Sequence, residues 1–140
     1  IWSMNSNQEV RTGRHCVFAI HAHLVFVTKY RKRVFTSESL DILKEVMQKV
    51  CDDFGVELAA FEGEDNHVHV LVNYPPQIQL SKLVNSLKGV SSRMLRQRMP
   101  SIANRYYKNV LWSPSYFAAS CGGAPLSVIK QYVEQQNRPL

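Results

Sequence analysis

Residues 65–74, DNHVHVLVNY, constrain this chain more than any other stretch. Inside a β-branched run, histidine and valine alternate with a period of two, which suits a strand and not a helix. Side chains at i and i+2 of a strand share a face. Val68 and Val70 therefore turn toward a core, and His67 and His69 stand side by side on the other face. Two neutral imidazoles so placed can share one divalent cation, with a third corner supplied from elsewhere in the chain. The competing reading is a pair of half-buried histidines hydrogen-bonded to carbonyls. Spacing alone leaves both open.

The remaining elements follow from periodicity. CVFAIHAHLVFVT (16–28) reads as one long buried strand, followed by the basic loop KYRKR. SESLDILKEVMQKVCDDFG carries Leu40, Leu43, Met47, Val50 and Phe54 at helical spacing, with Ser37 as a cap and Gly55 as a stop. Strand 56–62 and strand 67–73 form a hairpin through Gly63–Asn66, and YPP ends it. A second helix over 79–98 turns Leu80, Leu83, Leu87, Val90 and Met94 to the core, with Lys88, Arg93 and Arg96 off that stripe. A long connection, 99–114, leads to a short strand near SYFAAS. A third helix spans 126–136, with Pro125 at its start and Pro139 beyond its end. The order is β-α-β-β-α-β plus one helix. That predicts an α+β, ferredoxin-like split β-α-β arrangement: an antiparallel sheet with helices on one face. RNA-recognition modules share it, so the fold alone does not choose between binding and catalysis.

At 140 residues the chain is one domain. Residues 1–14 are expected to be disordered or tag-derived, and 121–140 to form a hinge and the last helix. No apolar run reaches the length that spans a bilayer, so no membrane partner is expected. Three widely spaced cysteines, Cys16, Cys51 and Cys121, make neither a disulfide framework nor a zinc motif, which suits a reducing cytoplasm. The net charge of +6 is unevenly spread. Residues 34–65 hold nine acids against Lys44 and Lys49, whereas 66–133 hold eight Lys or Arg and no Asp or Glu. Such a run is either a solvated face or a surface for a polyanion.

In the last helix Leu126, Ile129 and Val133 form the packing stripe, and Tyr132 and Gln136 lie one turn apart off it. Five ordered blocks, HLVFVTKYRKRVF, DNHVHVLV, LKGVSSRMLR, LWSPSYFAAS and IKQYVEQQ, carry a resemblance over about residues 17–136. The chain resembles the single-tyrosine HUH transposases of small bacterial insertion sequences, the IS200-like type. Asn66 departs from that pattern, where relatives commonly have Asp.

The resemblance implies that His67, His69 and Gln136 hold one Mg²⁺ or Mn²⁺, with no nucleotide cofactor. It implies that Tyr132 on the C-terminal helix is the nucleophile and forms a 5′-phosphotyrosine. It further implies single-stranded DNA with hairpin ends as substrate, and a homodimer whose active sites are shared between chains, with Gly122 and Gly123 as hinge. DNA contacts are expected from Lys29, Arg31, Lys32, Arg33, Lys88, Arg93 and Arg96. Tyr30, Trp112 and Tyr116 could stack on bases or pack in the core. His21 and His23 form a second HxH that could mimic the metal pair; His23 matches a recurrent family position that is not a ligand. Tyr106-Tyr107 are read as packing or stacking residues. The alternatives are an HUH replication or mobilisation nickase, a ferredoxin-like nucleic-acid-binding module without catalysis, and, more distantly, a zinc hydrolase.

Overall fold

The computed structural model describes residues 11–12, 17–106 and 108–121. Within them the chain runs β1 (Arg11–Thr12), β2 (Val17–Phe18), β3 (His21–Val27), a 3-10 turn (Lys29–Arg31) and α1 (Ser37–Phe54). Next come β4 (Glu57–Gly63), β5 (His67–Asn73), α2 (Leu80–Arg98), the one-turn α3 (Pro100–Ala103) and β6 (Phe117–Cys121). Four strands make an antiparallel sheet in the order β4-β5-β3-β6, and β1–β2 is a separate ribbon. Each β-α-β unit skips one strand, which is the split arrangement the element order predicts. The expected helix at 126–136, with Gly122, Gly123, Tyr132 and Gln136, lies outside the described residues.

The long strand expected over 16–28 is divided. Val17–Phe18 pair with Arg11–Thr12, so this part of the 1–14 segment and its partner form a ribbon, and β3 begins only at His21. The reason lies in its neighbour. β5 ends where His21 pairs with Asn73, and after the Tyr74 N–H donates to Ile20 O (2.9 Å) the chain meets Pro75 and Pro76. Proline has no N–H to extend a ladder, so the β3–β5 pairing stops here.

Both long helices pack on one sheet face. Ala22, Leu24 and Phe26 of β3 and Val68, Val70 and Val72 of β5 join Leu43, Met47 and Val50 of α1 and Leu83 and Leu87 of α2 in the core. Leu40, Phe54, Leu80, Val90 and Met94 sit at its margin, while Ile42, Val46, Cys51, Val84 and Leu95 are buried instead. Burial pushes the Cys51 thiol up to about 12, helped by the Asp52 charge, so it stays protonated and inert at neutral pH. Gly63 brings β4 close beneath α1, where a Cβ would overlap the Leu40 side chain.

The cap of helix α1 is Thr36, one residue before the expected Ser37, which is instead the first helical residue. Thr36 Oγ1 accepts from Ser39 N (3.4 Å), and Ser39 Oγ accepts from Thr36 N (2.7 Å), a reciprocal capping box. Gly55 closes the helix in the left-handed region at φ 70°. We expect Thr36→Ala to lower stability by about 1 kcal/mol. A urea midpoint unchanged by the substitution would show that the box contributes nothing.

Candidate functional site

The sheet face opposite the helices carries the histidines. Alternation sets His21, His23, Val25 and Val27 of β3 on it, beside Asn73, Leu71, His69 and His67 of β5 in antiparallel register. Glu62 of β4 is the register partner of His69, which adds a carboxylate position to the same face. Val25 and Leu71 form a small apolar cluster there with Val27, Ala60 and Phe117.

His67 and His69 have ring centroids 5.1 Å apart and planes inclined by 75°. Each ring is engaged through Nδ1. The Nδ1 of His67 lies 2.8 Å from Asn66 Oδ1, an atom that can only accept, so Nδ1 carries the proton. The Nδ1 of His69 lies 3.0 Å from Nε2 of His23, and those two rings stack with centroids 5.1 Å apart. His23 is 0% exposed and His69 1%, whereas His67 is half-buried. His23 is therefore in direct contact with His69, a relation its position in the HAH repeat did not reveal. In sequence it looks like a second candidate pair; only the β3–β5 register sets it diagonally next to His69.

Two side-by-side imidazoles, each held at Nδ1, fit the donor set of a divalent metal site through Nε2. Among the described residues, no group of three or more His, Cys, Asp or Glu side chains is placed to hold a metal ion. A complete site thus needs a donor of another kind or from outside those residues.

The basic turn adjoins the start of β5. Thr28 N–H donates to Asn66 O (2.9 Å), and Asn66 Nδ2 reaches Arg31 O at 3.5 Å. Arg31 N–H donates to Thr28 O (2.9 Å) and Thr28 Oγ1 donates to Lys32 O (2.8 Å). Tyr30 and Arg31 both adopt positive φ, 62° and 54°, which is costly for residues with a Cβ. The turn presents Tyr30 to solvent (71% exposed), with Lys29 and Lys32 ammonium groups 5.4 and 5.8 Å from its ring centre. Arg31 and Arg33 are exposed, and Arg33 approaches Asp65 at 3.8 Å. Lys32 also donates to the Arg105 carbonyl and lies over the buried Tyr106 ring, whose hydroxyl pKa burial raises. Tyr106 packs; Tyr107 lies outside the described residues.

Lys88 is used differently from the other basic candidates. Its ammonium donates to the carbonyls of Ser113, Pro114 and Ser115 at 2.7, 3.2 and 3.4 Å. Three carbonyls take its three N–H bonds, so it organises the loop before β6 and is not spare for a phosphate. Burial lowers its pKa from the ordinary lysine value. Arg93 is exposed on α2, and Arg96 donates to Ser92 Oγ at 3.2 Å. Trp112 is core: its Nε1–H donates to Ser91 Oγ (2.9 Å), and its ring packs on Phe26 and Phe35. Tyr116 is at the surface with its ring edge toward Phe26. No helix among the described residues is long and apolar enough to cross a membrane.

The family described as Transposase IS200 like matches residues 16–136. The ISDra2 transposase TnpA of Deinococcus radiodurans is 30% identical over 129 residues, covering 92% of each chain. The transposase for insertion sequence element IS200 of Salmonella typhimurium is 28% identical over 114 residues, 81% of this chain and 74% of that protein. A crystal structure from Deinococcus radiodurans R1 superposes with a TM-score of 0.75 at 32% identity, covering 90% of this chain and 97% of that one. A REP-associated tyrosine transposase bound to a REP hairpin shares the fold alone, with a TM-score of 0.57 at 14% identity over 89% of this chain and 68% of that one.

Proposed function

Since the chain belongs to the IS200-like transposase family, we propose that it cuts and rejoins single-stranded DNA through a covalent tyrosine intermediate. The observation that carries the site assignment is the adjacent His67–His69 pair with both Nδ1 atoms engaged by protein groups. His67 and His69, with Gln136, would hold one Mg²⁺ or Mn²⁺ between them. Such an ion polarises a phosphodiester and offsets charge developing on its oxygens.

The hydroxyl oxygen of Tyr132 attacks phosphorus and loses its proton. A P–O bond to the tyrosine forms, the bond to the departing 3′ oxygen breaks, and that oxygen takes up a proton to become a free 3′-OH. One phosphoester replaces another, so the reverse attack by a 3′-OH rejoins strands without ATP. Lys29, Arg31, Lys32 and Arg33 on the turn, with Arg93 and Arg96 of α2, supply cations for backbone phosphates. Lys88 acts indirectly by holding the 113–115 loop. We take a hairpin-bearing single strand as the substrate, in keeping with the hairpin bound by the REP-associated neighbour of the same fold. We take the active unit as a homodimer in which each tyrosine helix, hinged at Gly122-Gly123, serves the partner's histidine pair.

Incubating the full chain with hairpin-bearing single-stranded oligonucleotides and Mn²⁺ tests this reading. A denaturant-resistant protein–DNA adduct is expected, together with a fragment ending in 3′-OH, and the modified peptide should map to Tyr132. Chelation should remove both products. Cleavage without an adduct would mean that water is the nucleophile, and the transposition chemistry proposed here would fall.

A further inference from the structure

A histidine that ligates a metal through Nε2 must keep its proton on Nδ1, and in most such sites a fixed acceptor enforces that tautomer. His67 has one in Asn66 Oδ1, 2.8 Å from its Nδ1. For His69 the group at that position is a third imidazole, His23 Nε2, at 3.0 Å. Resting on the metal-site reading above, we propose that His23 is a positioning residue that fixes the tautomer and ring orientation of His69.

The surroundings of His23 suit that task. It sits on a central strand, between Leu71 of β5 and Ala119 of β6 in register. It is fully buried, its ring lies nearly parallel to that of His69 (21°), and Phe117 meets it edge-on with centroids 6.3 Å apart. Burial and the contact with Phe117 restrict the directions in which the ring can offer its Nε2. His23 then carries its own proton on Nδ1, its Nε2 accepts from His69 Nδ1–H, and the His69 lone pair is placed on Nε2. The partner of His67 enforces the same choice. With that assignment two unrelated residues, one on the neighbouring strand and one in the β4–β5 turn, would leave both Nε2 atoms available to a shared ion.

The test reads the tautomer directly. Nitrogen-detected NMR of imidazole-labelled, metal-free protein should show His69 as the Nδ1–H form. In His23→Leu that preference should be lost, and Mn²⁺ affinity measured by calorimetry should fall about 10- to 100-fold. His23→Gln, whose side-chain oxygen can still accept, should restore the Nδ1–H form and bring affinity back to within a few-fold of the parent protein. Finding the Nε2–H form of His69 in the parent protein overturns the proposal, whether or not the leucine variant folds. Undiminished Mn²⁺ binding by a folded His23→Leu overturns it too. If the parent protein binds no Mn²⁺ while His69 is the Nδ1–H form, it is the metal-site reading that fails, and the positioning contact stands as a structural one.

Discussion

Tyr132→Phe is expected to abolish every covalent protein–DNA product and every cleavage product, leaving hairpin binding close to that of the parent protein. The change removes one oxygen from a segment that the sequence reads as a helix packing through Leu126, Ile129 and Val133, so on that reading stability should move by no more than about 0.5 kcal/mol. On the proposed reading, affinity for a folded single strand comes mainly from cations on the 29–33 turn and on α2, which the substitution does not touch. No other group can take over, since covalent attachment requires the attacking oxygen itself. Gel shift and denaturing gels on one preparation separate the two effects. Adduct formation at the parental rate would disqualify Tyr132.

The second expected result is recovery of activity from two inactive chains. His67→Ala/His69→Ala removes both imidazoles from the sheet face opposite the helices and should eliminate Mn²⁺ binding and cleavage. Val68 and Val70, which face the helices, continue to hold β5 in the core. Each mutant homodimer is then dead for a different reason. If the tyrosine helix serves the partner chain, a mixed dimer contains one complete site, with Tyr132 from the histidine mutant and the histidines from the tyrosine mutant. Cleavage should return, with the DNA attached only to the histidine-mutant chain. If each helix folds back on its own sheet, every site in the mixed dimer lacks one half, and mixing restores nothing.

How much of this was legible in sequence depended on whether local pattern or tertiary register decided the point. The β5 strand was readable to its ends because alternation within 67–73 is a local property that the sheet then satisfied on both faces. The two long helices came within a residue of their bounds, since apolar periodicity and the stop at Gly55 are also local. Non-local pairing was what escaped. The end of the β3–β5 ladder at His21 falls beside prolines more than fifty residues away. Lys88 reads as one more surface cation until the carbonyls of 113–115 are seen around its ammonium. Ser91 sits in the hydrophobic stripe of α2 with nothing in its neighbourhood to say that Trp112 will need an acceptor there. His23 escaped for the same reason, since a hydrogen bond across 46 residues leaves no trace in spacing.

Asn66 has a consequence for anyone wishing to re-engineer this protein. Its backbone oxygen holds Thr28, its side-chain oxygen holds His67, and its amide nitrogen reaches the carbonyl of Arg31. The arginine- and lysine-bearing turn and the first histidine are therefore not separable modules. An aspartate at position 66 could still accept from His67, but it would turn a second acceptor toward the Arg31 carbonyl, in a turn already held at two positive φ angles. The 29–33 segment of this chain, grafted into a relative with aspartate there, would arrive without its anchor. The smallest portable cassette pairs the turn with the residue at position 66.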